Sequence, residues 1–341
     1  YVVGDWGSDP KEPEMLRNQH AVRDAMAALA LEHPPEFVLS TGDQVYPHGL
    51  SPNADEAAAR MEFSFQSAYN RTGLHVPFFP TLGNHDCEGD VASQLAYTKQ
   101  QKRGLLPRWH FPDRYYSQRF FTGEESADAV GLWVLDACTL VCDYPAAQVN
   151  YRCENLHSEG GEARQVQLTW LRRSLEAAER DGVRWKVVMA HWPMFSFAGN
   201  GPTQELIRDV LPLLKQYNVD VWLDGHDHNL QHIKHEDTTA TGIAPSGVDF
   251  FVSGAGGYEK HPHLKAAADG HWNTGAVLRK GWDGYGFMEF ELFLASDGGL
   301  SAAACATRAD ALRVRFYDGD IVKGRGTEMG RVYEYVRCKQ A

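Results

Sequence analysis

The stretch Val219-Asp220-Val221-Trp222-Leu223-Asp224-Gly225-His226-Asp227-His228 decides how the rest of the chain reads. Its first half is a short apolar run of the kind that forms a buried strand. Its second half sets two imidazoles two residues apart where that strand ends. The glycine just before them lets the backbone turn sharply and approach a ligand closely. Histidines so placed are candidate metal ligands, and the rest of the chain must then supply others to meet them.

Four further blocks precede this one, each at the end of an apolar run. They are Gly4-Asp5-Trp6-Gly7, Gly42-Asp43-Gln44-Val45-Tyr46, Gly83-Asn84-His85-Asp86 and His191-Trp192-Pro193. Singly, each has a plain explanation. Gly-Asp is a common turn, Asp and Asn cap helices, and a tyrosine is most often a half-buried aromatic with a wet hydroxyl. A histidine before Trp-Pro reads as a satisfied core residue. Five such blocks, all at strand ends, do not reduce to those explanations. In an open α/β sheet, ligands gather beyond the carboxyl ends of the strands, where every block falls.

The pattern along the chain is strand then helix, repeated, which makes it an α/β protein. Strands are expected over 1–3, 37–40, 77–82, 131–135, 185–190, 219–223 and 249–253, and helices over 15–31, 54–69, 162–180 and 203–217. In the 162–180 helix, Val166, Leu168, Leu171, Leu175 and Ala178 recur near helical spacing and are expected in the core. After residue 281 the segments 286–292, 312–316 and 331–336 alternate with period two, so antiparallel strands complete a sheet there. No linker of Pro, Ser or charge repeats divides the chain, and there is no internal repeat. The segments 140–161 and 258–281 read as long irregular loops bordering a site.

With 341 residues, 43% hydrophobic and 23% charged, and no apolar run long enough to span a membrane, the chain has material for a sizeable core. A formal charge of −12 argues against nucleic acid or an anionic membrane as partner. It also repels phosphate at long range, so any phosphate chemistry needs a strong local positive centre. The chain opens on Tyr1-Val2-Val3, already inside an expected strand, so an upstream signal is neither visible nor ruled out. Six cysteines lack any C-x-x-C pair, which argues against a zinc ribbon or a thioredoxin-like site. Cys138, Cys142 and Cys153 lie close enough for a local bridge, and Asn70-Arg71-Thr72 is an N-glycosylation sequon. Both favour the secretory route.

The candidate donors are Asp5, Asp43, Tyr46, Asn84, His191, His226 and His228, mixed oxygen and nitrogen without a thiolate. That set suits Fe, Mn or Zn and disfavours a structural zinc site. Seven side chains are too many for one ion with open positions, whereas two ions ~3.5–4 Å apart with a bridging carboxylate account for them. A phenolate points to a trivalent ion, because deprotonating a group of pKa ~10 takes a highly charged metal.

These blocks resemble the calcineurin-like metallophosphoesterases, and Gly42-Asp43-x-x-Tyr46 is similar to the motif of the purple acid phosphatases. Ser93-Gln94-Leu95-Ala96-Tyr97, His110-Phe111-Pro112, Gly201-Pro202-Thr203, His226-Asp227-His228-Asn229-Leu230-Gln231 and Ser253-Gly254-Ala255-Gly256 resemble the small, tartrate-resistant type. The resemblance implies one metallophosphoesterase domain over 1–341, a four-layer α/β/β/α sandwich of two mixed sheets flanked by helices, with 281–341 completing the second sheet. It implies Fe(III) on Asp5, Tyr46 and His228, a divalent Fe, Zn or Mn on Asn84, His191 and His226, and Asp43 as the bridge. His85 would face the substrate and protonate the leaving group or stabilise its charge. Phosphomonoesters such as nucleotides or phosphoproteins would be hydrolysed by a hydroxide that the metals supply. Secretion or delivery to a lysosome or vacuole would follow.

Two positions depart from the mammalian pattern: Cys87 stands where a histidine follows Gly-Asn-His-Asp, and Asn200 where a histidine precedes Gly-Pro-Thr. Asn200 is expected near the substrate and Cys87 as an inert buried thiol. Glu205 replaces a cysteine that in those enzymes bridges to the region of Cys142, so Cys142 pairs with Cys138 or Cys153 or stays free. His232, His235, His261, His263 and His271 are mostly expected in loops with solvated side chains, the alternative for His261 or His263, after Gly256-Gly257-Tyr258, being a place at the border of the cleft. Besides a phosphomonoesterase, the same site allows a phosphodiesterase or pyrophosphatase, and the same fold a non-catalytic scaffold that anchors partners.

Overall fold

Alternation along the apolar strands decides which way each side chain faces. In the computed structural model the strands are β1 (Val2–Val3), β2 (Val38–Ser40), β3 (Phe78–Pro80), β4 (Tyr116–Phe121), β5 (Asp128–Val134), β6 (Trp185–Met189), β7 (Val221–Asp224), β8 (Leu230–Thr239), β9 (Gly242–Ser253), β10 (Ala276–Trp282), β11 (Gly286–Phe293), β12 (Ala309–Asp318) and β13 (Arg331–Gln340). The helices are α1 (Pro13–Leu29), α2 (Ala54–Met61), α3 (Asn84–Glu88), α4 (Val91–Gln100), α5 (Ala137–Cys142), α6 (Glu162–Arg180), α7 (Gln204–Asp209) and α8 (Leu211–Gln216). The structure describes residues 1–100, 108–121, 128–143, 153, 156, 161–239, 242–261, 275–294, 305, 309–319 and 330–340.

Two mixed sheets result. One has the order β13-β12-β11-β1-β2-β3, the other β10-β8-β9-β7-β6-β5-β4. Parallel pairing joins β1, β2 and β3 in the first and β5, β6, β7 and β9 in the second, with antiparallel strands outside them. Odd-numbered residues of β6 and β7 (Met189, Val221, Leu223) face the other sheet, in one core cluster with Val2, Leu39 and Met288. Their even neighbours Val188 and Trp222 face the helices and pack with Leu171, Leu175, Leu206 and Leu214. Phe251 of β9 reaches across to Phe290 and Phe316 of the first sheet. Val22, Met26 and Leu29 of α1 join the first cluster from the far side of that sheet. The layers are therefore helix, sheet, sheet, helix, and burying each large apolar side chain contributes ~1.5–3 kcal/mol.

Several expectations need correction. The 203–217 helix is two helices, because Pro212 has no N–H to give and its ring blocks a continuous turn; it sits in the first turn of α8 instead. The 54–69 helix is α2 followed by a π-helical segment, Glu62–Ser67. Val166 is 54% exposed, while Leu171, Leu175 and Ala178 are buried, since Val166 lies off their face of α6. The 258–281 segment is not wholly irregular, because Ala276–Trp282 pairs with β8 as an edge strand. His232 and His235 are not solvated loop residues: both lie on β8 and are buried, with His232 bonded to Asp249 and Tyr333 and His235 stacked on Phe195. His263 and His271 lie outside the described residues.

Cys87 is not an inert thiol. It forms a disulfide with Cys138, which ties α3 to α5. Cys142 pairs with Cys153 and Cys305 with Cys338. No helix among the described residues is long and apolar enough to cross a membrane.

Candidate metal centre

Each block lies just beyond a strand, the third as the start of α3, and three of the acids and imidazoles hold unusual backbone to get there. Asp5, Asp43 and His226 have φ of 58°, 51° and 65°, the left-handed region that few non-glycine residues adopt. Cross-block hydrogen bonds hold these turns: Asp5 N–H to Gly42 O, Gly7 N–H to Asp43 O, and Gly225 N–H to His191 O. Gly83 is required by close approach, since a Cβ there would fall 2.0 Å from Asp43 Oδ1. At Gly225 a Cβ would fall 2.5 Å from Asp5 Oδ2.

The structure brings all seven candidate donors together in two groups that meet at Asp43. In the first, Tyr46 Oη lies 3.3 Å from Asp5 Oδ1, 3.1 Å from Asp43 Oδ2 and 3.3 Å from His228 Nε2. In the second, His191 Nε2 lies 3.1 Å from Asn84 Oδ1 and 3.2 Å from Asp43 Oδ2. Donor atoms of Asp43, His191 and His226 fall within 4.8 Å of one another. His226 is anchored through its main chain, its N–H donating to the Asp5 carboxylate. His191 Nδ1 lies 2.8 Å from Thr41 O, an acceptor only, so Nδ1 carries a proton and Nε2 is the ring atom turned to the cluster.

The electrostatics of this arrangement call for a cation. A hydroxyl carries one proton, yet Tyr46 Oη meets three acceptor-capable atoms within 3.3 Å. Among the described residues, Asp5 and Asp43 form ion pairs only with histidines. Burial, then the charges of Asp43 and Asp5, push the Tyr46 hydroxyl well above its usual range. Burial alone would raise the Asp43 carboxyl, but His191, with His85 and His226, pulls it well below the carboxylate range. His191 shows the converse: burial opposes its charge, and Asp43 and Asp5 raise it to about 10. Crowded oxygen and nitrogen lone pairs without lysine or arginine partners fit bound metal.

His85 is half-buried beside the cluster. Its N–H donates to Asp43 Oδ1, its ring lies 4.4 Å from that of Tyr46, and its Nδ1 is 2.5 Å from Pro47 O. Asn200 donates from Nδ2 to Asp227 Oδ1 and to His226 O, so it sits behind the His226 turn.

Sequence reasoning missed several supporting groups. Asp86 accepts from Gln44, Val45 and Gly83 main-chain N–H groups and from Gln94, binding the second block to the third. Burial, helped by the charge of Asp43, pushes its carboxyl up to about 7. Tyr258 stacks on Tyr46 at 3.7 Å, and His261 stacks on His228 at 3.9 Å. His261 is therefore not a solvated loop residue; that stack and Asp227 hold it half-buried. The signal for both lies in Ser253-Gly254-Ala255-Gly256, a tight turn that returns the chain to the site.

Residues 1–230 match the family model of calcineurin-like phosphoesterases. Tartrate-resistant acid phosphatase type 5 of Sus scrofa is 32% identical over 293 residues, covering 84% of this chain and 78% of the relative. Purple acid phosphatase 17 of Arabidopsis thaliana is 30% identical, covering 84% of this chain and 75% of the relative. Among solved structures, GAP50, the anchor in the inner membrane complex of Plasmodium, superposes with a TM-score of 0.69 at 16% identity, over 100% of this chain and 88% of that one, a likeness of fold.

Proposed function

Since the chain belongs to the calcineurin-like phosphoesterases and, within them, to the tartrate-resistant and purple acid phosphatases, we propose that it hydrolyses phosphomonoesters at a centre of two metal ions. Asp5, Tyr46 and His228 would hold Fe(III), Asn84, His191 and His226 would hold divalent iron, zinc or manganese, and Asp43 would serve both groups. The observation that carries this reading is Asp43 Oδ2, 3.1 Å from Tyr46 Oη and 3.2 Å from His191 Nε2, one oxygen common to both groups. When bound, the ions supply Lewis-acid polarisation of the phosphoryl group and lower the pKa of water for in-line attack.

The chain's own residues orient and deliver protons. His85, with Nδ1–H held by Pro47 O, keeps Nε2 as the ring atom that exchanges a proton, and it gives that proton to the leaving alkoxide. Asn200 holds the turn carrying His226 and Asp227 beside the substrate. Local positive charge offsets the net −12 close to the site, where screening is weak.

The substrates are small phosphomonoesters such as nucleotides, or phosphoproteins. A purely anchoring role in the manner of GAP50 is disfavoured, because all seven donor positions are filled. Three disulfides among the described residues suit the secretory pathway, and exposed Asn70 is its glycosylation site. The test is hydrolysis of an aryl phosphate by the parent protein and by His226→Ala, with bound metal measured in both. The variant is expected to lose ~10²-fold or more in kcat/KM, in line with a misplaced catalytic array. Activity that survives the substitution contradicts the mechanism.

A further inference from the structure

One short segment makes main-chain or ring contacts with three of the seven donors, Asp5, Tyr46 and His228, and touches the His226 turn through Asp227 and Asn200. Beyond β9 the chain turns through Gly254 and Gly256, and Gly256 N–H donates to Gly4 O. Tyr258 N–H then donates to Asp5 O, and the Tyr258 ring lies on that of Tyr46 at 3.7 Å with 1° between planes. Three residues on, His261 N–H donates to His228 O, and the His261 ring stacks on that of His228 at 3.9 Å and 12°. Asn229 Nδ2 returns a hydrogen bond to His261 O, and Tyr258 meets His228 edge-on at 5.5 Å. Asp5, Tyr46 and His228 are thus all held by the segment 256–261. His191 and Asn84 are held instead by Thr41, by Asp43 and by each other.

Tyr258 lies flat on one face of the Tyr46 ring, and His85 packs at its side, 4.4 Å from Tyr46 and 6.3 Å from Tyr258, so the stack fixes the orientation of the ring about the phenolic axis. His261 fixes the plane of His228 in the same way. Both outer rings are half-buried and stand between these donors and solvent.

We propose that Tyr258 and His261 are positioning residues for one metal position alone: they hold Tyr46 and His228 for the trivalent ion, and so set its retention and its colour, but not the hold on the divalent ion. This rests on the two-metal reading above. Partners that orient metal ligands are worth ~10–100-fold in metal affinity. Stacking, unlike a hydrogen bond, survives replacement of Tyr258 by another aromatic.

The experiment compares the purified, metal-loaded parent with Tyr258→Leu, Tyr258→Phe and His261→Ala. It records the visible spectrum, and it follows iron and the second metal separately by elemental analysis during dialysis against a chelator. Circular dichroism identifies any variant that has not folded, in which case Tyr258→Phe and His261→Ala carry the comparison. Tyr258→Leu and His261→Ala are expected to shift or weaken the phenolate band and release iron ~10-fold faster or more, with loss of the divalent ion unchanged. Tyr258→Phe is expected to stay within about twofold of the parent in both rates. Unchanged bands and iron release in folded variants overturn the proposal, as does equal acceleration for both ions. A parent that binds no coloured ion fails the two-metal reading itself, and this inference falls with it.

Discussion

Cys87 is bonded to Cys138, and that bond fastens α3, which begins at Asn84 and His85, to α5 on the neighbouring sheet. Cys138 lies within 3.4 Å of Gly83 O as well, so the anchor reaches the turn in which the third block starts. A residue that reads as inert in the sequence thus holds two candidate functional side chains in place.

Breaking that bond should cost stability and activity together. The cysteines are 51 residues apart, and loop closure of that length gives ~4 kcal/mol in the chain-entropy model. Denaturant unfolding of Cys87→Ser is expected to show a loss of ~2–4 kcal/mol. Hydrolysis by the folded fraction should fall too, because Asn84 and His85 lose their tether. A variant as stable and active as the parent would show that the bond anchors neither the fold nor the site.

Gly83→Ala should damage the centre directly as well as strain the turn that carries it. The new methyl group would collide with Asp43 Oδ1 and the Asp43 main-chain nitrogen; Oδ1 bonds His85 main-chain N–H, and Oδ2 of the same carboxylate faces Tyr46 and His191. Shifting that carboxylate by ~1 Å is expected to lower kcat by ~10²-fold and to reduce bound metal per chain. Elemental analysis beside a thermal unfolding curve separates the two effects. Metal content and kcat left intact in the folded variant would contradict the assignment.

At the opposite face of the protein, Asp249 should govern acid stability. Burial raises its carboxyl, but hydrogen bonds from His232 and Lys234, with their charges, outweigh burial and hold it at about 2. Arg337 adds a further hydrogen bond. A carboxyl depressed on folding stabilises above its unfolded value of ~3.9 and loses that contribution as pH falls toward 2. Asp249→Asn is therefore expected to lower stability at pH 5–7, on the order of 2 kcal/mol or more, since it also leaves buried cations unpaired. The gap between variant and parent should shrink below about pH 4 in denaturant titrations. A gap that widens on acidification would mean that folding raises this carboxyl instead of depressing it.

The legible part of this molecule is whatever the chemistry writes locally. Val221, Trp222 and Leu223 alternate between two cores, and Asp43 and Tyr46 carry their spacing in four consecutive residues, so strand ends and donor blocks can be read directly. What depends on partners far along the chain cannot. β8 looks polar because His232, Lys234 and His235 lie on it, yet Asp249, Tyr333 and Phe195 satisfy or cover the two histidines. Cys87 finds Cys138 only through packing of α3 against α5. Tyr258 and His261 are ordinary loop residues in sequence, and they reach the centre only because β9 delivers them there.

On the proposed reading, Tyr46 belongs to a metal centre where its phenolate would bind trivalent iron. The most direct test is elemental analysis joined to the visible spectrum of the purified protein and of Tyr46→Phe. The account predicts about two metal ions per chain, one of them iron, and a tyrosinate-to-iron absorption that disappears in the variant. Colourless protein fully loaded with two zinc or manganese ions, or a band that persists in Tyr46→Phe, would contradict it.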